Sequence, residues 1–195
     1  MKNKGFFLVL EGIDGCGKTT IALRLAKRLR SGQANVIVTK EPTVANKKIH
    51  AILRQRTEAP RPLDFQKLYI ADRLAHIKNV IKPALAKGKI VICQRYALST
   101  FAYGMAFGVK LNDMKHDFLK PNMTILLDLA AKEAMRRIAS RKQGREYFEK
   151  EVFLEKIRKQ YLALAKKQNA KIIDALLSPK EIVDNLMDLI TARGV

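Results

Sequence analysis

One octapeptide constrains this chain more than any other feature. Gly12-Ile13-Asp14-Gly15-Cys16-Gly17-Lys18-Thr19 follows a short apolar run, Phe6 to Leu10, and opens a segment of helical period. A G-x-x-x-x-G-K-T loop between a strand and a helix belongs to α/β architecture. The glycines can take backbone angles closed to other residues, so successive N–H groups from Gly12 through Gly15, Cys16 and Gly17 turn inward around a β-phosphate. The N-terminus of the following helix adds partial positive charge. Lys18 supplies an ammonium for the β- and γ-phosphates, the Thr19 hydroxyl is the expected ligand to Mg²⁺, and Thr20 completes the first turn. ATP or another nucleoside triphosphate is therefore the expected ligand.

The rest of the chain alternates in the same manner. β-rich runs at Phe6 to Leu10, Asn35 to Thr39, Ile90 to Cys93, Thr124 to Leu127 and Lys171 to Ile173 predict five strands of one parallel sheet. Helical periods predict helices at about Lys18 to Arg30, Lys47 to Arg54, Leu63 to Ala86, Ala130 to Arg141, Glu151 to Lys167 and Pro179 to Ala192. The expectation is a three-layer α/β P-loop fold with helices on both faces of the sheet. At 195 residues the chain fits a single domain of ordinary size, 1–195, with room for a small inserted lid. The segment Arg141 to Glu146, basic and glycine-containing between two helices, marks that lid at about residues 140–150.

Thirty-eight basic against 18 acidic residues give a net charge of +20, which attracts phosphates of any kind. A nucleic-acid-binding P-loop ATPase is the reading this charge suggests from another class. Against it, the cations are scattered, as at Lys82, Lys87, Lys110, Lys132 and Lys166, without an aromatic-interleaved stripe. Cys16 and Cys93 offer neither zinc spacing nor a disulfide framework, so a reducing cytoplasm is expected. The apolar start is interrupted by Glu11 and is too short for a signal-peptide core or a membrane span.

A phosphate loop says that a nucleotide binds, not what receives the phosphoryl group. Asp14 is an acid among inward-pointing amides. It suits a hydroxyl of a second substrate, or merely stabilises the turn. Beyond the loop, the ordered set Glu11 to Thr20 (EGIDGCGKTT), Lys40-Glu41-Pro42, Ala71-Asp72-Arg73, Gln94-Arg95-Tyr96, Ser99 to Tyr103 (STFAY) and Ile173-Asp174-Ala175 resembles the thymidylate kinase family over nearly the whole chain.

The resemblance implies transfer of the ATP γ-phosphoryl group to dTMP, in a homodimer with a flexible lid; no membrane partner is expected, and nucleic acid is not expected as the main partner. It assigns Asp14 to the sugar 3′-hydroxyl, Tyr69 to a stack on thymine and Arg73 to the base O4. From the residues alone, Tyr69 reads as a core aromatic and Arg73 as a salt-bridge partner of Asp72. Arg95 would clamp the acceptor phosphate. Thr100 would meet the pyrimidine edge beside Ser99, and Tyr103 would crowd out a ribose 2′-hydroxyl. Glu41, before Pro42 and through a cis or trans peptide, would line the acceptor site. Arg145, with Arg141, would bring a catalytic cation from the lid, or belongs to a solvated basic loop. Arg158 has a structural role, and Leu63 to Ala86 is the candidate dimer surface.

Three departures stand out. Gln94 occupies a position where the family usually has an acid near the metal, so Gln94 and Thr19 are the candidate metal-side residues and weaker Mg²⁺ binding or slower turnover is expected. Thr43-Val44 replaces a common pair of glycines, and His50 stands where an arginine is common. A kinase for another pyrimidine nucleotide or a deoxynucleoside is the alternative these changes leave open.

Overall fold

The computed structural model describes residues 5–54, 60–140 and 150–194. Five strands, β1 (Phe6–Glu11), β2 (Val36–Lys40), β3 (Ile90–Gln94), β4 (Met123–Asp128) and β5 (Lys171–Asp174), form one sheet in the order β2-β3-β1-β4-β5. All four pairings are parallel. β1 is the central strand and reads FFLVLE, buried at every position, as a strand covered on both faces must be. Its register sets Leu10 beside Gln94 and Glu11 beside Leu126, so the strand ends reach one edge together.

The helices are α1 (Lys18–Ser31), α2 (Lys47–Leu53), α3 (Pro62–His76), α4 (Lys82–Ala86), α5 (Ala97–Ala106), α6 (Ala131–Ala139), α7 (Glu151–Lys167) and α8 (Pro179–Thr191). They pack around the sheet, with α1 against α8 and α5 against α7. Local chemistry sets their starts. Asn46 caps α2 by accepting from the Ile49 N–H. Ser178 and Glu181 form a capping box on α8, with Pro179 in the first turn.

One expectation changes in detail. The helix expected over Leu63 to Ala86 is interrupted by a π turn at Ile77–Ile81, which divides it into α3 and α4. The helix carrying Ser99, Thr100 and Tyr103 is α5, eight of whose ten residues are buried. Among the described residues, no helix is long and apolar enough to cross a membrane.

Because the strands are parallel and the order reverses at β1, a crevice opens beyond their C-terminal ends, where open α/β sheets place ligands. Glu11, Lys40, Gln94 and Asp128 end four of the strands there.

Candidate active site

The loop after β1 has the backbone its glycines anticipate. Gly12 and Gly15 lie at φ of 141° and 84°, and Gly17, at 95°, is the N-cap of α1. Packing enforces two of these glycines as well. A Cβ on Gly12 would lie 2.6 Å from the Leu127 carbonyl oxygen, and one on Gly15 would lie 2.7 Å from the Ala134 oxygen on α6. The Lys18 ammonium donates to the Gly12 and Ile13 carbonyls at 2.9 and 2.8 Å and lies 3.5 Å from Cys16 Sγ. Burial, and then the nearby Arg95 cation, lower its pKa from the ordinary lysine value. The two expected metal-side residues touch: Thr19 Oγ1 donates to Gln94 Oε1 at 2.7 Å. Lys18, Thr19, Thr20, Gln94 and His50 line one cleft.

A second cleft opens beside it, lined by Gln66, Tyr69, Ser99, Thr100 and Tyr103 among others. Asp14, Pro42, Leu53 and Arg95 line both clefts and so form their common wall. On that wall Arg95 Nη2 donates to Asp14 Oδ1 at 2.5 Å, and the Tyr103 hydroxyl donates to Asp14 Oδ2 at 2.8 Å. Burial alone would raise the Asp14 pKa. Arg95 first, then Lys18 and the hydrogen bonds, outweigh it and hold the carboxyl at about 2. Burial likewise opposes the Arg95 charge, but Asp14, Tyr103 and Tyr161 push its pKa up, so the guanidinium is a permanent cation. Arg95 adopts φ 64°, in the left-handed region where side chains other than Asn and Asp are uncommon. Strain of this kind gathers at functional sites.

Beneath this wall lies a residue whose role the sequence reading missed. Glu11 is fully buried and accepts from the Tyr96 N–H at 2.9 Å, the Ser99 N–H at 3.3 Å, the Ser99 hydroxyl at 2.5 Å and the Tyr161 hydroxyl at 3.3 Å. Tyr161 in turn meets Ser99 Oγ at 2.7 Å and accepts from Arg95 Nη1 at 3.3 Å. One acid at the end of the central strand thus ties the start of α5 to α7 and to Arg95. Burial raises its pKa even against these donors. An acid directly after a five-residue apolar strand was the available signal. Gln66, buried and lining the second cleft, had no such signal.

Of the pair expected to face one cleft, Tyr69 lines it and meets Phe65 edge-on, with centroids 5.1 Å apart, whereas Arg73 is fully buried. Arg73 does not pair with Asp72, as its residues alone suggested. Its Nε donates to Glu41 Oε2 at 2.7 Å and its Nη2 to the Tyr96 carbonyl at 2.8 Å. Its guanidinium carbon lies 4.9 Å from the ring centroids of both Tyr96 and Phe118. Asp72 instead accepts from the Thr43 N–H and hydroxyl at 2.8 and 2.6 Å. Glu41 serves Arg73 rather than standing free, and the Glu41–Pro42 peptide is cis. Among the described residues, Arg73 Nη1 and Thr100 Oγ1 are the buried side-chain polar atoms without a partner. Such atoms are rare and call for an explanation.

At the altered positions, His50 Nε2 on α2 lies 2.9 Å from the Thr43 carbonyl oxygen in the turn before the helix, so the two departures touch. Arg158 forks onto Asp128 with bonds of 2.7 and 2.8 Å, the structural role expected of it. Arg141 and Arg145 lie outside the described residues.

Two clefts that meet at one ion pair, one of them walled by a phosphate cradle, are what a phosphoryl transfer between two bound molecules needs, and they define the class as the P-loop kinases. The thymidylate kinase family model matches residues 10–186. A probable thymidylate kinase of Pyrococcus horikoshii is 39% identical over 200 residues, covering 96% of each chain. Thymidylate kinases of Geotalea uraniireducens and Bdellovibrio bacteriovorus are 37% and 32% identical, covering 87% and 100% of each chain. The chain belongs to the thymidylate kinase family.

Proposed function

We propose that this protein is an ATP-dependent nucleoside monophosphate kinase that phosphorylates dTMP, giving dTDP and ADP. The observation that carries the reading is the common wall: Asp14 and Arg95 line both the cleft at the phosphate cradle and the cleft walled by Tyr69, Thr100 and Tyr103. A donor held in the first cleft and an acceptor held in the second would meet at Arg95.

In this reading Tyr69 stacks on thymine, Thr100 Oγ1 and Arg73 Nη1 supply the unused polar atoms for its edge, and Asp14 receives the 3′-hydroxyl. Tyr103, already hydrogen-bonded to Asp14, sits where a ribose 2′-hydroxyl would crowd it. Arg95 orients the acceptor phosphate, and Lys18 draws charge from the transferring group. The acceptor oxygen is an anionic phosphate at neutral pH, so no strong general base is needed. Positioning and charge neutralisation carry the rate. Arg145, with Arg141, supplies further positive charge from the lid, placed at about residues 140–150 of the single domain.

The donor set fits a hard cation, since Thr19 Oγ1 and Gln94 Oε1 are oxygens 2.7 Å apart beside the cradle. Mg²⁺ would be held there by Thr19 and by water bonded to Gln94, and would neutralise charge on the transferring phosphate oxygens. The protein works in the cytoplasm as a homodimer. Two buried free cysteines and exposed Leu74 and Val80 on the α3 side support these two statements. An ADP-release assay across dTMP, dUMP, dCMP, UMP and thymidine tests the reading, with dTMP expected to be the preferred acceptor.

A further inference from the structure

His76 takes no part in the site as described, yet it is buried and fully engaged. It lies one helical turn beyond Arg73 on α3, so both side chains leave the same face. Its Nδ1 is 3.0 Å from Glu41 Oε1, and its Nε2 is 2.7 Å from the Thr39 hydroxyl. Glu41 is therefore shared, with Oε1 on His76 and Oε2 on Arg73 Nε. Cys93 Sγ also lies within ligating reach of Glu41 and His76. The Arg73 cation opposes a metal ion there, and the Glu41–His76 hydrogen bond already accounts for the approach of those two groups.

We propose that His76 is a positioning residue for acceptor recognition, holding Glu41 to a single bond with Arg73 so that Arg73 Nη1 keeps the place in which it has no protein partner and is left for the acceptor. A buried carboxylate beside a guanidinium prefers the two-bond fork, here Nε together with Nη2. Forming it would take Nη2 from the Tyr96 carbonyl and swing the guanidinium between the Tyr96 and Phe118 rings. A donor at Glu41 Oε1 opposes that turn. The carboxylate accepts, so the ring presents Nδ1–H to it, while the Thr39 hydroxyl can donate to or accept from Nε2. Arg73, Glu41 and His76 form one buried set. The charged or titratable neighbours facing it from other elements are Cys93 of β3, Glu11 of β1 and Tyr96.

The inference rests on the assignment of Arg73 to the acceptor base, and its test separates the two. His76→Ala is expected to raise KM for dTMP about tenfold, the scale of an unmade hydrogen bond to a buried charged group, while KM for ATP is unchanged. His76→Asn keeps a donor near the Nδ1 position and should recover most of the loss. His76→Gln, whose amide falls near Nε2, should not. Equal rises in both KM values, no change in either, or rescue by Gln as good as by Asn would overturn the proposal. Nitrogen-15 NMR of the wild-type ring decides the matter even if a variant does not fold. A proton on Nδ1 is expected, whereas a ring protonated on Nε2 alone would refute it. A wild-type protein that leaves dTMP unphosphorylated would instead remove the acceptor reading, and the kinetic claim with it.

Discussion

Arg95 donates to Asp14 at 2.5 Å across the wall that the two clefts share, and the Tyr103 hydroxyl holds the other carboxylate oxygen. The cation proposed to meet phosphate and the anion proposed to meet a sugar hydroxyl are thus set against each other. Arg95→Ala is expected to lower kcat on the order of 10²–10³-fold, as loss of a charge-stabilising donor does. Asp14→Asn should chiefly raise KM for dTMP. Steady-state kinetics with each substrate varied separately would show whether the two effects divide in this way.

The same pair makes stability depend on acid. Asp14 titrates at about 2 in the folded chain against 3.8 when free, so its contribution is present above pH 3.8 and is lost as pH falls toward 2. The interval corresponds to roughly 2 kcal/mol. Glu11, raised by burial, titrates above its ordinary 4.5 with the opposite sign and does not share this window. Urea unfolding between pH 4 and 2 should show a steeper decline for the wild type than for Asp14→Asn.

Gln94 is the departure nearest the chemistry. Its amide oxygen accepts from the Thr19 hydroxyl without bringing charge to a cation. Gln94→Asp should raise activity and shift the Mg²⁺ titration to lower concentration. Unchanged metal dependence, or a slower enzyme, would show that the neutral residue is not limiting.

Gly15 has no room for a side chain. Its φ is 84°, and a Cβ would meet the Ala134 backbone of α6 at 2.7 to 3.2 Å. Gly15→Ala is expected to cost about 1–3 kcal/mol of stability and to weaken ATP binding. An unchanged urea midpoint would show that α6 yields easily.

The strands and the cradle were legible because both are written locally, in apolar runs and in glycines at fixed spacing. Arg73 was harder. Asp72 is adjacent in sequence, but neighbours on a helix face different ways, so Asp72 reaches Thr43 while Arg73 finds Glu41, 32 residues earlier. The π turn at Ile77–Ile81 was not legible, because inserting one residue into a helical turn leaves composition and local period almost unchanged. α5 resisted bounding for another reason: Ala97 to Ala106 has no charged residue and is buried at eight of its ten positions, so no solvent-facing stripe marks a period. Glu11 was visible as a letter in the motif. Its hold on Ser99 and Tyr161 comes from residues 88 and 150 positions away and exists only once the sheet is formed.

The central claim is that the cradle and the neighbouring cleft cooperate in transferring a phosphoryl group from ATP to dTMP. Its most direct test is ADP release by the purified protein with ATP and Mg²⁺, with each acceptor of the panel added in turn. Release should depend on dTMP, exceed that with dUMP, dCMP, UMP or thymidine, and vanish in a folded Lys18→Ala variant. ADP release indifferent to dTMP, or undiminished without Lys18, would contradict the account.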